Sequence, residues 1–134
     1  MTPDDLQILL KESFAKWVLA LQPKVTSADT EHVTVRMPLT PDLKRVGGIV
    51  SGQALAALAD TTMVLAAIAH KDKFIPLATT NLDTQFLRPG KGTAILCRGE
   101  VVKAGRALVF AKAELIEENS GKTVATATGT FFVP

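Results

Sequence analysis

The sequence predicts an α+β domain in which one long apolar helix packs against an antiparallel sheet. Two observations lead to this fold class: residues 49–69 form an almost uninterrupted apolar stretch of helical length, and four stretches of strand length follow it. With 134 residues, of which 47% are hydrophobic and 21% charged, the chain has the size and composition of a single domain spanning residues 1–134. A sheet with one polar face can offer the helix only its apolar face, so we expect two packed layers.

The first third of the chain predicts a helix and then a β-hairpin. Apolar side chains recur at helical spacing through residues 3–21, which predicts an amphipathic first helix that ends near Pro23. Between Lys24 and Met37, valines alternate with polar residues around a Ser-Ala-Asp-Thr turn, which is the pattern of two antiparallel strands. Residues 39–48 contain prolines and glycines among polar residues and predict a loop.

The central helix, predicted over residues 51–70, is apolar on nearly every side of its helical wheel, so we expect it to be buried all round. Turn-forming residues divide the rest of the chain into four strands, which we expect to pair consecutively as an antiparallel meander. The helix is long enough to span a membrane, but Asp60 near its middle argues against a membrane span. The four predicted strands cover residues 75–87, 93–102, 107–117 and 123–133.

The composition limits the classes of function. The net charge is only +2 without any basic run, and aromatic residues make up 5% of the chain without any Tyr, which argues against a nucleic-acid partner. The single cysteine, Cys97, can form neither an intramolecular disulfide nor a thiolate metal site. The amino terminus carries acidic residues where a secretory signal needs basic ones. We therefore expect a cytoplasmic protein that binds neither nucleic acid nor membrane.

Asp60 is the most informative residue of the sequence, because a carboxylate is rarely buried inside a protein without a partner. One interpretation is structural: the side chain bonds locally to Thr61 or Thr62, or lies exposed along a narrow polar stripe of the helix. The other is functional: a reactive carboxylate lines a ligand cavity. The residues alone leave both interpretations open.

The start of the same helix is a second candidate feature. Gly47, Gly48 and Gly52 allow close approach of a ligand to the backbone, and helix N-termini favour negative charge. A serine at the position of Ser51 is more often simply the N-cap of the helix, and Gly52 is also explained as a residue that permits close packing. At 1.5 Å per residue, Gly52 and Asp60 are about 12 Å apart along the axis. If both act on one bond they must come from two chains related by a two-fold axis, which predicts an obligate dimer.

Several segments of the sequence resemble a known family. GIVSGQALAALAD at residues 48–60 is similar to the helix motif of hotdog-fold acyl-CoA thioesterases, and most closely to the phenylacetate-degradation (PaaI-like) type. TTNLDTQFLRP at residues 79–89, a Gly-Arg turn at residues 105–106 and a last strand over residues 121–132 continue the likeness, from about residue 33 onward. The resemblance implies a hotdog fold and a dimer that often pairs into a tetramer. It also implies hydrolysis of a CoA thioester with no metal or bound cofactor, coenzyme A being part of the substrate.

The resemblance implies roles for individual residues. The Gly52 amide would polarise the thioester carbonyl, and Asp60 of the other subunit would act as general base or nucleophile. Thr79, in preference to Thr80, would help to place the attacking water. Arg88, Lys91 and Arg106 would meet the phosphates of CoA, although a cation at such a position is more often a solvated surface residue. The expected substrate-binding residues are Ser51, Gln53, Arg45, Asn81, Arg88, Lys91 and Arg106.

The sequence also departs from this family. A His is common where Ser51 stands, a second Gly where Gln53 stands, and an Asn or Gln near Arg45. These departures leave a non-catalytic acyl-CoA-binding or regulatory protein as the alternative. A hydratase on the same fold needs an acid-base pair of Asp and His a short helical step apart, and no His follows Asp60 at that distance. For an aryl or medium aliphatic acyl group we expect an apolar lining formed by Leu55, Met63, Phe74 and Phe86.

Overall fold

A computed structural model describes all 134 residues of the chain. Six antiparallel strands form one sheet, and the longest helix lies against four of them. The predicted α+β class is therefore confirmed. The helices are α1 (Pro3–Ser13), α2 (Lys16–Leu19) and α3 (Gly52–Lys71), with a short 3-10 turn at Pro41–Leu43. The strands are β1 (Lys24–Ala28), β2 (His32–Pro38), β3 (Ala78–Phe86), β4 (Ala94–Ala104), β5 (Leu108–Glu117) and β6 (Thr123–Phe132). They are ordered β1-β2-β4-β5-β6-β3 across the sheet, and α3 lies against β2, β4, β5 and β6.

The alternation of side chains along the strands creates the two layers. In β5, buried and exposed residues alternate from Leu108 to Leu115, and β2 alternates in the same way. The inward side chains include Leu115 and Phe131, which are fully buried in the same core cluster as Leu58 of α3. The outward face carries charged residues such as Lys112 together with a few exposed apolar ones such as Phe110. The predicted packing of the apolar helix on the apolar face of the sheet is therefore confirmed.

Helix α3 belongs to this core and has a well-defined cap at each end. Ser51 is the N-cap, and its Oγ accepts a hydrogen bond from the Ala54 N–H at 3.2 Å. Asp72 ends the helix in a left-handed conformation, with φ 52° and ψ 34°. The helix is long and apolar enough to cross a membrane, but 67% of its most apolar window is buried inside the domain. That burial identifies it as the core helix of a globular fold.

The predicted continuous helix over residues 3–21 is wrong, because the chain breaks after Ser13. Phe14, with φ −90° and ψ 156°, and Ala15, with φ −58° and ψ 142°, are extended and separate α1 from α2. The break allows Val18 to be buried in the core and Phe14 to pack against it, while Trp17 remains 65% exposed. A helical spacing of apolar residues is compatible with two short helices as well as with one long helix, so the pattern could not reveal the break.

The predicted meander is correct for β4, β5 and β6 but wrong for β3. Strand β3 pairs with β6, and the neighbouring position beside β4 is taken by β2. The connection over residues 87–93 is too long for a tight hairpin turn. The N–H groups of Leu87 and Arg88 both donate to the carbonyl of Val124, at 2.9 and 3.3 Å, so the connection first stays beside β6. Strand β3 therefore lies at an edge of the sheet.

This edge and the adjacent side of α3 are left uncovered within one chain. All but one residue of β3 is exposed, and only β6 pairs with it. The expectation that α3 is buried all round is also wrong, since Ala57, Asp60 and Val64 form a half-exposed stripe on it. Unpaired backbone groups along a nine-residue edge strand are a template for pairing with another chain.

Candidate active site

Asp60 is held by a residue from β3. The Thr79 hydroxyl donates a hydrogen bond to Asp60 Oδ1 at 2.9 Å, and Oδ2 has no partner within the chain. The predicted local hydrogen bond is absent, because Thr61 makes no contact of this kind with Asp60 and the Thr62 hydroxyl donates instead to the Leu58 carbonyl at 2.7 Å. Asp60 and Thr79, both predicted as catalytic residues, thus contact each other in the fold although 19 positions separate them in the chain.

The surroundings of Asp60 make its carboxylate more basic. Burial raises the pKa of the Asp60 carboxyl above its ordinary value, and the hydrogen bond from Thr79 opposes that increase. A carboxylate of higher pKa is a better proton acceptor, and the hydrogen bond to Oδ1 fixes the direction in which Oδ2 points. The pair is therefore suited to take a proton from a water molecule or to attack an electrophile.

Asp60 and Thr79 line a mainly apolar groove with a volume of about 470 Å³. Its walls come from the segment that joins α1 to α2, from α3 and from the link between α3 and β3. Of the lining residues predicted from the sequence, this groove contains Phe74, whereas Met63 is fully buried in the core. The other lining residues are Ser13, Phe14, Ala15, Trp17, Val18, Thr61, Val64, Ile68, Ile75, Pro76 and Leu77.

A second groove, of about 370 Å³, lies at the start of α3. Gly52 is the first residue of the helix, and the N–H groups of Gly52 and Gln53 have no acceptor within the chain. The Phe86 ring packs against Gly52, where an added Cβ would lie 3.3 Å from the ring. The remaining lining residues are Arg45, Ile49, Val50, Leu55, Leu87, Arg88, Pro89 and Gly90. Two free N–H groups and two arginines make this groove suitable for an anion.

The glycine-containing loop before α3 positions one of these arginines. Gly47 and Gly48 adopt positive φ angles of 99° and 77°, which close the loop tightly. The Gly48 N–H donates to the Arg45 carbonyl at 3.0 Å, and the Arg45 N–H donates to the Ile49 carbonyl at 2.9 Å. Arg45 thus lies beside the N-terminus of the helix, and Val46 is 92% exposed at the tip of the loop.

One chain does not bring Gly52 and Asp60 together. Both lie on the uninterrupted helix α3, about 12 Å apart along its axis. The two grooves share no lining residue. Strand β3 connects them, because Thr79 near its start contacts Asp60 and Phe86 at its end contacts Gly52. The chain therefore carries the two parts of the predicted site at separate places on α3.

The other predicted substrate-binding residues are scattered. Gln53 is exposed on the first turn of α3, and Asn81 is exposed on β3 beyond an irregularity in its pairing with β6. Lys91 is exposed, and its backbone N–H donates to Glu117 Oε2 at 2.9 Å. Arg106 lies at the opposite end of α3, because Lys71 Nζ donates to the neighbouring Gly105 carbonyl at 3.3 Å. Within one chain, Arg106 cannot act together with the arginines at the helix start.

The contribution of the N-terminal segment to the Asp60 groove is not predicted from the sequence. Phe14 and Trp17 line the Asp60 groove, although they were expected only to form the apolar face of a continuous helix. The signal that could have found them is the break between α1 and α2, which is not visible in the apolar spacing.

The histidines and the acidic residues offer no further centre. His32 Nε2 lies 3.0 Å from Glu100 on the outer face of the sheet, and His70 Nδ1 lies 3.3 Å from the Thr30 carbonyl. Neither therefore forms an acid-base pair with Asp60. No group of three or more His, Cys, Asp or Glu side chains is arranged to hold a metal ion.

Comparison with known proteins agrees with the fold. The family model of the thioesterase superfamily matches residues 47–124. A Thermoplasma acidophilum protein, described provisionally as an esterase, is 25% identical over 126 residues, which are 92% of this chain and 94% of that relative.

Solved structures give the same result. A Silicibacter protein described provisionally as a thioesterase is 27% identical with a TM-score of 0.89, covering 100% of this chain and 92% of its own. The PaaI protein of the Escherichia coli phenylacetic acid degradation operon is 20% identical with a TM-score of 0.84, covering 98% of this chain and 93% of its own. The hotdog fold expected from the sequence is confirmed.

Proposed function

This chain belongs to the thioesterase superfamily, and we propose that it hydrolyses a CoA thioester of an aryl or short-to-medium acyl group to a free acid and CoA. One observation carries the proposal: the half-buried Asp60 carboxylate is held by Thr79 beside an apolar groove. Membership of the superfamily and the names of its relatives support hydrolase activity in general. The identity of the thioester and the composition of the site are our proposal.

The proposed site is shared by two subunits. A two-fold axis through the middle of β3 would pair the two β3 edges antiparallel and set Ala78 opposite Phe86 of the partner subunit. Thr79 and Asp60 would then lie beside Gly52 of the partner subunit, because Phe86 packs against Gly52 in each chain. The open edge of β3 and the half-exposed stripe of α3 support this arrangement. A dimer of dimers, like the cytoplasmic location and the lack of a cofactor, stays a prediction.

In this arrangement the chemistry is divided between the subunits. The Gly52 N–H would donate to the thioester carbonyl oxygen as negative charge develops on it, which is typically worth about 2.7 to 4 kcal/mol for one preorganised donor. Asp60 of the other subunit would take a proton from water while the water oxygen bonds to the carbonyl carbon. The carbon–sulfur bond then breaks, and the CoA thiolate receives the proton. Arg45 and Arg88, beside Gly52, would hold the phosphates of CoA.

The second candidate function is a protein that binds acyl-CoA without hydrolysing it. The Ser51 side chain favours it, since Ser51 stands where the family commonly has His and its Oγ accepts the N-cap hydrogen bond from Ala54. The Ser51 hydroxyl proton nevertheless remains available to a substrate. In both candidate functions acyl-CoA would occupy the same two grooves, and only the first function includes hydrolysis of the thioester.

Release of free thiol from a panel of acyl-CoAs separates the two candidates. We expect thiol release with at least one aryl or medium-chain thioester. Asp60→Asn should lower kcat at least about a hundredfold with the dimer intact, because an amide cannot accept the proton. Asp4→Asn, at an exposed aspartate of α1, is the matched control and should keep the original rate. Binding of acyl-CoA without thiol release at any chain length would support the non-catalytic alternative, and an unchanged rate in Asp60→Asn would remove Asp60 from its role.

A further inference from the structure

We propose that the N-terminal segment over residues 13–18 forms one wall of the acyl pocket, and that this pocket selects uncharged aryl and medium-chain acyl groups. Trp17 and Phe74 form its rim. The inference deepens the proposed thioesterase function and rests on it. It assigns a specificity role to a part of the chain that lies outside the segment matched by the superfamily model, residues 47–124.

The groove is continuous with the reacting carboxylate. Asp60, Thr61, Val64 and Ile68 of α3 all line it, so it follows the helix for about 12 Å toward the C-terminal end. The start of α3 lies in the opposite direction. A thioester carbonyl held between Asp60 and Gly52 of the partner subunit can therefore extend its acyl group along this groove, toward the C-terminal end of α3.

The burial of the lining residues distinguishes a floor from a rim. Val18, Ile68 and Ile75 are at most 9% exposed and form the floor. Trp17 and Phe74 are 65% and 45% exposed and stand at the opening. An acyl chain lying on the floor would cover the apolar faces of both aromatic rings. Exposed aromatic side chains beside a cavity of about 470 Å³ are typical of a binding site for an apolar ligand.

The charges determine which acyl groups fit. Asp60 is the only ionisable side chain among the lining residues, and no Lys, Arg or His reaches the groove. A carboxylate at the far end of an acyl chain would enter apolar surroundings without a partner, which costs free energy. The phosphates of CoA are excluded for the same reason and belong in the arginine-lined groove at the helix start. Each substrate would therefore place its acyl part on one subunit and its CoA part on the other.

Trp17 reports directly on occupancy of the pocket. It is the only Trp of the chain, and the chain has no Tyr, so the near-ultraviolet emission of the protein comes from this residue. In the Asp60→Asn variant, which should bind without turnover, octanoyl-CoA should shift the emission of Trp17 to shorter wavelength. Free CoA should leave it unchanged. Suberyl-CoA, which has the same chain length but ends in a carboxylate, should bind at least about tenfold more weakly.

Two results of this titration would overturn the pocket assignment. The first is an equal shift with free CoA or with suberyl-CoA. The second is a short-wavelength emission already present without ligand, which would mean that a protein segment covers Trp17. The titration does not depend on hydrolysis. It can therefore support the pocket even if no thiol is released and the proposed function fails, and it can reject the pocket while hydrolysis is observed.

A substitution tests the depth of the pocket. Val64→Phe places a larger side chain one helical turn beyond Asp60, so it should lower kcat/KM for octanoyl-CoA at least tenfold more than for acetyl-CoA. Ile8→Phe enlarges a residue of α1 that is 54% exposed and lies outside the groove, and it should leave the ratio of the two substrates unchanged. An equal loss for both substrates in Val64→Phe would contradict the proposed direction of the acyl chain.

Discussion

The two grooves along α3 differ in charge and in the kind of group that they can bind. The groove at the helix start offers free N–H groups and two arginines, whereas the groove at Asp60 offers one carboxylate and mainly apolar walls. One suits the anionic half of a thioester substrate and the other its apolar half. A continuous helix keeps the two grooves about 12 Å apart, so each chain has two half-sites, and in the proposed dimer the second copy completes each of them.

The largest expected effect concerns the helix-start groove. Gly52→Pro removes the N–H proposed to polarise the carbonyl, and proline is well tolerated at the first position of a helix. Ser51 already has φ −67° and ψ 146°, a conformation that a following proline favours. We expect kcat to fall about 10²- to 10³-fold, as measured by thiol release.

Gly52→Ala is the matched control for this substitution. It adds the same Cβ next to the Phe86 ring, which is 55% exposed and able to move, but it keeps the N–H. We expect this variant to retain most of the activity. If both variants lost activity equally, the shape of the groove rather than the N–H would be responsible.

A smaller effect is expected from separating the two half-sites. Leu82 lies at the centre of β3 and is 37% exposed, so the proposed two-fold axis would place it beside its own copy. Leu82→Lys would set two like charges together and weaken the dimer, with activity falling at least about tenfold at low protein concentration. Sedimentation velocity should show the monomer. Val102→Lys, at a 61% exposed position on β4, should remain dimeric and active, and a dimeric Leu82→Lys would show that β3 does not form the interface.

The smallest effect concerns the hydrogen bond within the Asp60 half-site. Thr79→Val removes the hydroxyl that holds Asp60, and we expect about a tenfold loss in kcat. That hydrogen bond lowers the pKa of Asp60 against the effect of burial, so its removal should raise the pKa and move the acidic limb of the pH–rate profile to higher pH. Thr80→Val, whose hydroxyl donates to the Thr130 carbonyl, should leave the profile in place. A profile that does not move in Thr79→Val would mean that Asp60 does not control it.

The sequence predicted the parts of the fold that local patterns encode. Alternation and turn residues located the strands to within a few positions, and the N-cap at Ser51 placed the start of α3. The position of β3 at the edge was not predictable in this way, because alternation describes the two faces of a strand and not its neighbours. The break at Phe14 and Ala15 was hidden for a similar reason.

The residues of the candidate site were predictable where a residue type is unusual for its place in the sequence. An acid within an apolar helix and glycines before a helix start are both visible in the sequence, and Asp60 and Gly52 were found in this way. Thr79 was found through the family resemblance, and the hydrogen bond to Asp60 gives it a physical role. Trp17 and Phe14 are not unusual in this sense, because apolar residues are expected on one face of an amphipathic helix. Their place in the groove depends on tertiary packing.

Mixing two inactive variants tests whether one site takes Asp60 from one subunit and Gly52 from the other. Asp60→Asn and Gly52→Pro, unfolded together and refolded in equal amounts, would form mixed dimers as half of all dimers. Each mixed dimer would carry one site with both defects and one site with neither. We expect the mixture to recover about a quarter of the original activity, because half of all dimers would carry one intact site out of two. Activity no higher than that of the separate variants, with mixed dimers confirmed by mass spectrometry, would contradict the shared site.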